Sequence, residues 1–289
     1  MEMQFPSIYE ITNKRSMLAQ TRFLRMVKIE YIILVFTAIN SAIPYSEKHV
    51  VGLVLLIFVL AIFTAKRFFD FENKWYKYRA LTESIKTITW RFAMKTEPFS
   101  SCSELNDAKQ FHKYIESSIS GSNYALKTKI ISSENHSDDT VENLRFIRSE
   151  KYPVRRDFYV ENRIIDQRNW YTSKYIFNKR KSNSWAICTV CFYLCLIAIS
   201  TWNVINPTRV FFIPVDIITT LVASIIGWNQ TKKYQELSAS YKLTAHEIGL
   251  IKERAAYVSS EEDFVDFVLD AETAFSREHT QWLARRSTS

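Results

Sequence analysis

The chain has 289 residues, with 38 Lys+Arg against 30 Asp+Glu for a formal charge of +8. Only 4 Gly and 6 Pro accompany 47% apolar and 15% aromatic residues, which excludes a barrel or sandwich rich in glycine turns and predicts a mostly helical chain. The glycines stand at 52, 121, 227 and 249, too dispersed for a phosphate-cradling loop or a dinucleotide fingerprint.

Taken in chain order, a charged segment (7–28) leads into two charge-free apolar runs, 31–46 and 49–65, separated only by Glu47 and Lys48. A second pair, 182–208 and 210–231, is interrupted by Arg209 and contains one charge, Asp216. A membrane span takes about 20 mostly apolar residues. The second pair meets that length, and the first does so if Lys28 and Lys66 reach out to the headgroups. Connections this short make antiparallel hairpins, so the sequence predicts four spans, near 29–46, 49–66, 184–205 and 210–230. Lys and Arg cluster before and after each hairpin, while the tips carry only Lys48 and Arg209. Both termini and the middle of the chain are therefore expected to be cytoplasmic. The charged stretch before the first run is too long for a signal peptide.

The same plan is used twice: a basic helix, a hairpin, then a long polar helix. The corresponding divisions are 1–98, a connecting region 99–152, and 153–289. Neither exit, 65–71 or 227–235, contains proline, so both second spans are expected to run on unbroken as long helices. Within the connecting region, 132–139 reads as an exposed loop, and 123–131 is too short a pattern to assign as strand. Pro153 suits the first turn of a helix. Near the end of the chain, Ser260 and Asp263 form a capping-box pattern. Phe264, Val268, Ala271, Phe275 and Trp282 then line one helical face amid many charges, among them Glu272. That helix either packs back on the cytoplasmic core or serves oligomerisation.

Two stretches carry more specific patterns. One is Tyr159, Arg163, Asp166, Gln167, Trp170, Tyr171, Lys174 and Asn178, just before the third span; the other is Glu272, Glu278, His279 and Trp282. Together they resemble the SLATT family, two-transmembrane effector domains that accompany nucleotide-synthesising SMODS enzymes and SLOG sensors in bacterial conflict systems. The resemblance extends, through Trp75, Arg79, Glu83, Lys86 and Trp90, to a first copy in the N-terminal half. It implies tandem domains acting as a pore-forming or membrane-disrupting effector of antiphage defence in the bacterial inner membrane. No SMODS, SLOG or TIR module is expected within these 289 residues, so the resemblance implies a trigger from a nucleotide second messenger or a signal-producing partner protein.

Arg163, Asp166, Gln167, Trp170 and Lys174 are expected on one helical face, suited to helix pairing and able also to stack on a nucleotide. With Tyr159, Arg155, Arg156, Glu278 and Trp282 they are the candidate ligand or oligomer contacts. The basic cluster Arg145, Arg148, Lys151, Arg155 and Arg156 is expected to meet lipid headgroups, with an anionic messenger as the sharper alternative and nucleic acid not expected. Asp216, with Thr220, Ala223 and Gly227 following on its face, either lines a pore or stabilises a helix start behind Pro214. Asn40 and Asn203 either extend that polar path or only join helices. The histidines show no metal spacing, and Cys188, Cys191 and Cys195 lie within the third span as packing residues. No catalytic constellation, cofactor or metal site is expected. The expected architecture is an all-α integral membrane protein, its four transmembrane helices paired as two hairpins and its long cytoplasmic helices forming an intracellular bundle. Its partners would be the bilayer and further copies of itself. The competing reading is a membrane-anchored scaffold or signalling protein that carries a helical binding module.

Overall fold

The computed structural model describes residues 1–101, 103–121, 137–206 and 215–287, with the backbone alone at 120–121, 137–141 and 277–287. Every regular element among them is helical: α1 Ser7–Ala42, α2 Lys48–Phe69, α3 Phe71–Ala93, α4 Glu104–Gly121, α5 Ser137–Ser149, α6 Tyr152–Tyr159, α7 Asp166–Ile205, α8 Val215–Lys232, α9 Tyr234–Arg254 and α10 Glu261–Ser287. A π-helical turn, Val160–Ile165, joins α6 to α7. Residues 102, 123–131, 132–136 and the second hairpin tip at 207–214 lie outside the described residues. Residues 137–139, expected as loop, begin α5 instead.

The chain divides into two units that cut across its two halves. The first comprises Met1–Gln20, Glu72–Tyr171 and Leu243–Ser289; the second, Thr21–Phe71 and Thr172–Lys242. In the first unit α3 buries Tyr76, Leu81, Ile85, Trp90, Phe92 and Ala93, a helical stripe that forms the centre of the core. The start of α1 presents Ile8, Thr12, Ser16 and Ala19 at similar spacing. Thr12 accepts a 3.0 Å hydrogen bond from Thr82, and the Ser16 hydroxyl donates to the Trp75 carbonyl at 3.4 Å. From α10, Phe264, Phe267, Val268 and Ala271 enter the same core. Its N-terminus is the expected capping box, with Asp263 N–H donating to Ser260 Oγ and Ser260 N–H donating to Asp263 Oδ2, both at 3.1 Å.

The second unit is built the other way round. No residue of α2 is buried, and Leu53, Leu56, Ile57, Phe58, Leu60 and Phe63 are each more than half exposed. On α7, Ile187, Leu194 and Ile197 are equally bare. Exposed apolar surface on this scale is far beyond the scattered patches of a soluble monomer. Two helical stretches among the described residues are long and apolar enough to cross a membrane, Lys48–Ala93 and Tyr152–Ile205. At the first hairpin tip, Asn40 donates to the Lys48 carbonyl at 2.9 Å and accepts from the Tyr45 hydroxyl. Asn40 thus joins α1 to α2. Lys66 pairs with Glu30 of α1 instead of standing free.

The expectation of unbroken helices after each hairpin is overturned. Asp70, at φ 50°, closes α2 in the left-handed region, its N–H bonding the Lys66 carbonyl at 3.2 Å. Lys233, at φ 51°, separates α8 from α9 in the same way. A non-glycine residue there costs roughly 1–2 kcal/mol, so surrounding packing must hold each break in place. Absence of proline does not predict these breaks, because they come from a single backbone rotation and not from a missing donor.

Candidate functional site

The polar centre of the first unit is an ion pair with almost no access to water. Arg163 and Glu272 are 2% and 0% exposed. The guanidinium donates from Nε to Glu272 Oε1 and from Nη2 to Oε2, both at 2.7 Å. This two-pronged geometry is the strongest that an arginine and a carboxylate make. The Tyr159 hydroxyl donates to the same Oε1 at 2.9 Å, and the Phe275 ring lies 4.7 Å beneath the guanidinium. Gln167 receives a 3.2 Å hydrogen bond from Lys86 of α3 at its Oε1.

The π turn explains how α6 and α7 supply this row. Residues four apart drift around an ordinary α-helix, because one turn takes 3.6 residues. A wider π turn over 160–165 takes up that drift, so Tyr159, Arg163 and Gln167 all face inward, followed by Tyr171. The five-residue face expected from the sequence is therefore two faces. Arg163 and Gln167 are interior, whereas Asp166, Trp170 and Lys174 are exposed.

Electrostatics favour the charged guanidinium. Burial opposes charge on Arg163, but the Glu272 carboxylate outweighs it and raises the guanidinium above its ordinary value. Burial, then the nearby Glu272 charge, pushes the Tyr159 hydroxyl well up. Lys86 is shifted the other way: burial, then the charge of Arg163, lower it to about 8.

Two further arginines serve the turn after α3. Arg148 donates to the carbonyls of Phe92 at 2.6 Å and Phe99 at 2.7 Å, and pairs with buried Asp107. Arg155, 1% exposed, donates to the Met94 carbonyl at 2.8 Å and pairs with Glu261. Carbonyls at a helix C-terminus carry partial negative charge, and the two cations answer it at Phe92 and Met94, at the end of α3. The basic cluster is therefore no continuous lipid-facing patch. Arg148 and Arg155 are interior, Arg145 meets Glu104 at 3.5 Å, and Arg156 pairs with Asp157 at 2.9 Å.

Of the other expected residues, Asp216 sits exposed in the first turn of α8. Thr220 donates to its carbonyl at 2.8 Å, and Ala223 is exposed on the same side. Gly227 lies against Tyr31 of α1: a β-carbon there would overlap the phenol oxygen and sit 2.7 Å from Cζ. Asn203 is half-buried near the end of α7. The side chains of Glu278 and Trp282 lie outside the described residues, although both positions belong to α10. Cys188, Cys191 and Cys195 are free thiols. Sequence reasoning missed the interior role of Glu272 by grouping it with solvated charges. The available signal was spacing: 272 falls four residues after Val268 and eight after Phe264, on the buried stripe.

The patterned residues of the two halves meet within this unit. Arg79 lies 6.0 Å over the Trp170 ring, Lys86 bonds Gln167, and Trp90 packs edge-on against Tyr159 at 5.5 Å. Ascending numbers on α3 meet descending ones on α6 and α7, so the strips run antiparallel. Family comparison agrees with this twofold plan. The model for SMODS and SLOG-associating 2TM effector domain 3 matches residues 6–156, and that for domain 1 matches 159–282. No curated protein and no solved structure matches the chain. The chain belongs to the SLATT family, with two such domains in tandem.

Proposed function

We propose that this chain is a membrane effector of bacterial antiphage defence that oligomerises and permeabilises the inner membrane when triggered. The observation that carries the proposal is α2, a 22-residue helix without a buried residue. Water is a poor neighbour for that surface: full burial of one such side chain is worth about 1.5–3 kcal/mol. A bilayer satisfies it, as do further copies of the chain. Each matched domain is by description a 2TM effector domain. Two of them account for four spans, made by the apolar parts of α1, α2, α7 and α8, with both termini in the cytoplasm.

Four helices enclose too little space for a wide aqueous path, so permeation takes several copies around an axis. The exposed side of α8, with Asp216 and Ala223, is available to face that axis. Asp216 then forms a ring of carboxylates near the outer mouth and favours cations. The helical first unit receives the trigger, a nucleotide signal or a partner protein, and the chain performs no catalysis of its own. Asp166 and Trp170 are its exposed candidate contacts; Arg163 and Gln167 act behind them by fixing the helix.

Size measurement in detergent, with liposome flux beside it, tests the proposal. Oligomers accompanied by ion flux on triggering are expected. A protein that stays monomeric with and without its trigger and passes no ions is a membrane-anchored scaffold instead.

A further inference from the structure

A groove of about 510 Å³ runs along the second unit between α1, α7 and α8. Ile32, Val35, Phe36, Leu221 and Ile225 line its apolar length. One end is different in kind: Lys28, Lys181, Trp185, Trp228 and Tyr234 gather there. Lys28 Nζ lies 5.2 Å from the Trp228 ring, and Lys232 stands 5.7 Å from the same ring. These positions fall at the cytoplasmic ends of the proposed spans, where tryptophan, tyrosine and lysine meet headgroups.

No carboxylate answers this charge among the described residues. The second-unit pairs Glu30–Lys66 and Lys233–Glu236 involve none of Lys28, Lys181 and Lys232. Burial, followed by the charges of Lys28 and Lys174, lowers Lys232 below the usual lysine range. Crowded cations of this sort are relieved by a bound anion. An apolar trough ending in a cationic, aromatic mouth matches one occupant: an acyl chain that carries a phosphate.

We infer that this groove is a binding site for an anionic phospholipid of the inner leaflet, its phosphate held by Lys28 and Lys181 and one acyl chain lying along Ile32, Val35 and Leu221. Basic pockets between membrane helices on the cytoplasmic side take lipid headgroups in this way. Tyr31, over Gly227, fixes how closely α1 and α8 approach, and so sets the width of the trough. A lipid wedged there would bias how copies of the second unit pack. The inference rests on the membrane-spanning reading.

The test uses the full chain purified in a neutral detergent, titrated with phosphatidylglycerol or with phosphatidylcholine of identical acyl chains. Binding is followed by native mass spectrometry and by thermal stabilisation. Tighter binding of phosphatidylglycerol is expected. Lys28→Gln with Lys181→Gln should weaken it about thirtyfold and leave phosphatidylcholine unchanged. Millimolar inorganic phosphate should not compete, because it lacks the chain. Equal binding of both lipids, undiminished binding by the double variant, or full competition by phosphate overturns the site. A variant that fails to fold is recognised by loss of phosphatidylcholine binding; Lys28→Arg with Lys181→Arg then decides, since retained charge must retain selectivity. Alkaline extraction separates the two levels: protein released from membranes refutes the spanning reading, whereas retained protein without lipid preference refutes only this site.

Discussion

The two units handle charge and apolar surface in opposite ways. The first hides charge: Arg163, Glu272, Asp107, Arg148 and Arg155 are all nearly inaccessible, and each has its partner. The second turns its apolar side chains outward along α2 and α7. A unit that pairs its buried charges internally draws on its own interior for them. A unit with bare leucines and phenylalanines is completed by its surroundings. The same chain thus carries a self-sufficient part and an environment-dependent part, and mutations should report on them differently.

The largest effect is expected at the buried pair. Glu272→Ala leaves Arg163 charged and unpaired in a dry core, at a cost of about 3–5 kcal/mol. Loss of soluble or membrane-extracted folded protein, read by limited proteolysis at α10, checks this. Arg163→Met combined with Glu272→Leu should recover most of the loss, because no charge is then stranded. If both variants behave alike, the pair is not what holds this unit together.

In the second unit the sign reverses, and adding charge is what harms. Leu56→Arg on the bare surface of α2 costs about 2.5–3.5 kcal/mol at a span centre, so membrane-integrated protein should fall. Normal integration of this variant would show that α2 does not face lipid.

Lys86 sharpens the contrast through pH. Its folded value is about 8 against an ordinary 10.5. Between those values the unfolded chain binds more protons than the folded one, so stability of the first unit rises with pH across that window. The cost of burying the ammonium, on the order of 3 kcal/mol, is present in full below pH 8 and relieved towards 10.5. Denaturant titrations from pH 7.5 to 10 should show the slope, and Lys86→Met should flatten it. Gly227→Ala is the mildest variant. Its methyl group must displace Tyr31, which costs about 1 kcal/mol, and Tyr31→Ala should remove the penalty.

Legibility in the sequence follows the same division. The turn between α1 and α2, Pro153 in the first turn of α6 and the Ser260–Asp263 cap are local patterns, and each is found where spacing puts it. Glu272, Arg148 and Arg155 are not legible from composition, because a charged residue reads as solvated until its distant partner is known. Arg163 and Glu272 are 109 residues apart. The left-handed breaks at Asp70 and Lys233 and the π turn at 160–165 depend on packing around them, and leave no signature of their own.

Membrane permeabilisation by an assembled ring is the central claim, and membrane potential in cells at matched protein level tests it most directly. Wild-type protein should depolarise the membrane on triggering. Asp216→Lys, on the exposed first turn of α8, should reverse the field at the mouth and strongly reduce depolarisation, with Asp216→Asn intermediate. Full depolarisation by the Asp216→Lys variant would contradict the pore-lining assignment, and an unchanged potential with triggered wild-type protein would contradict the effector reading itself.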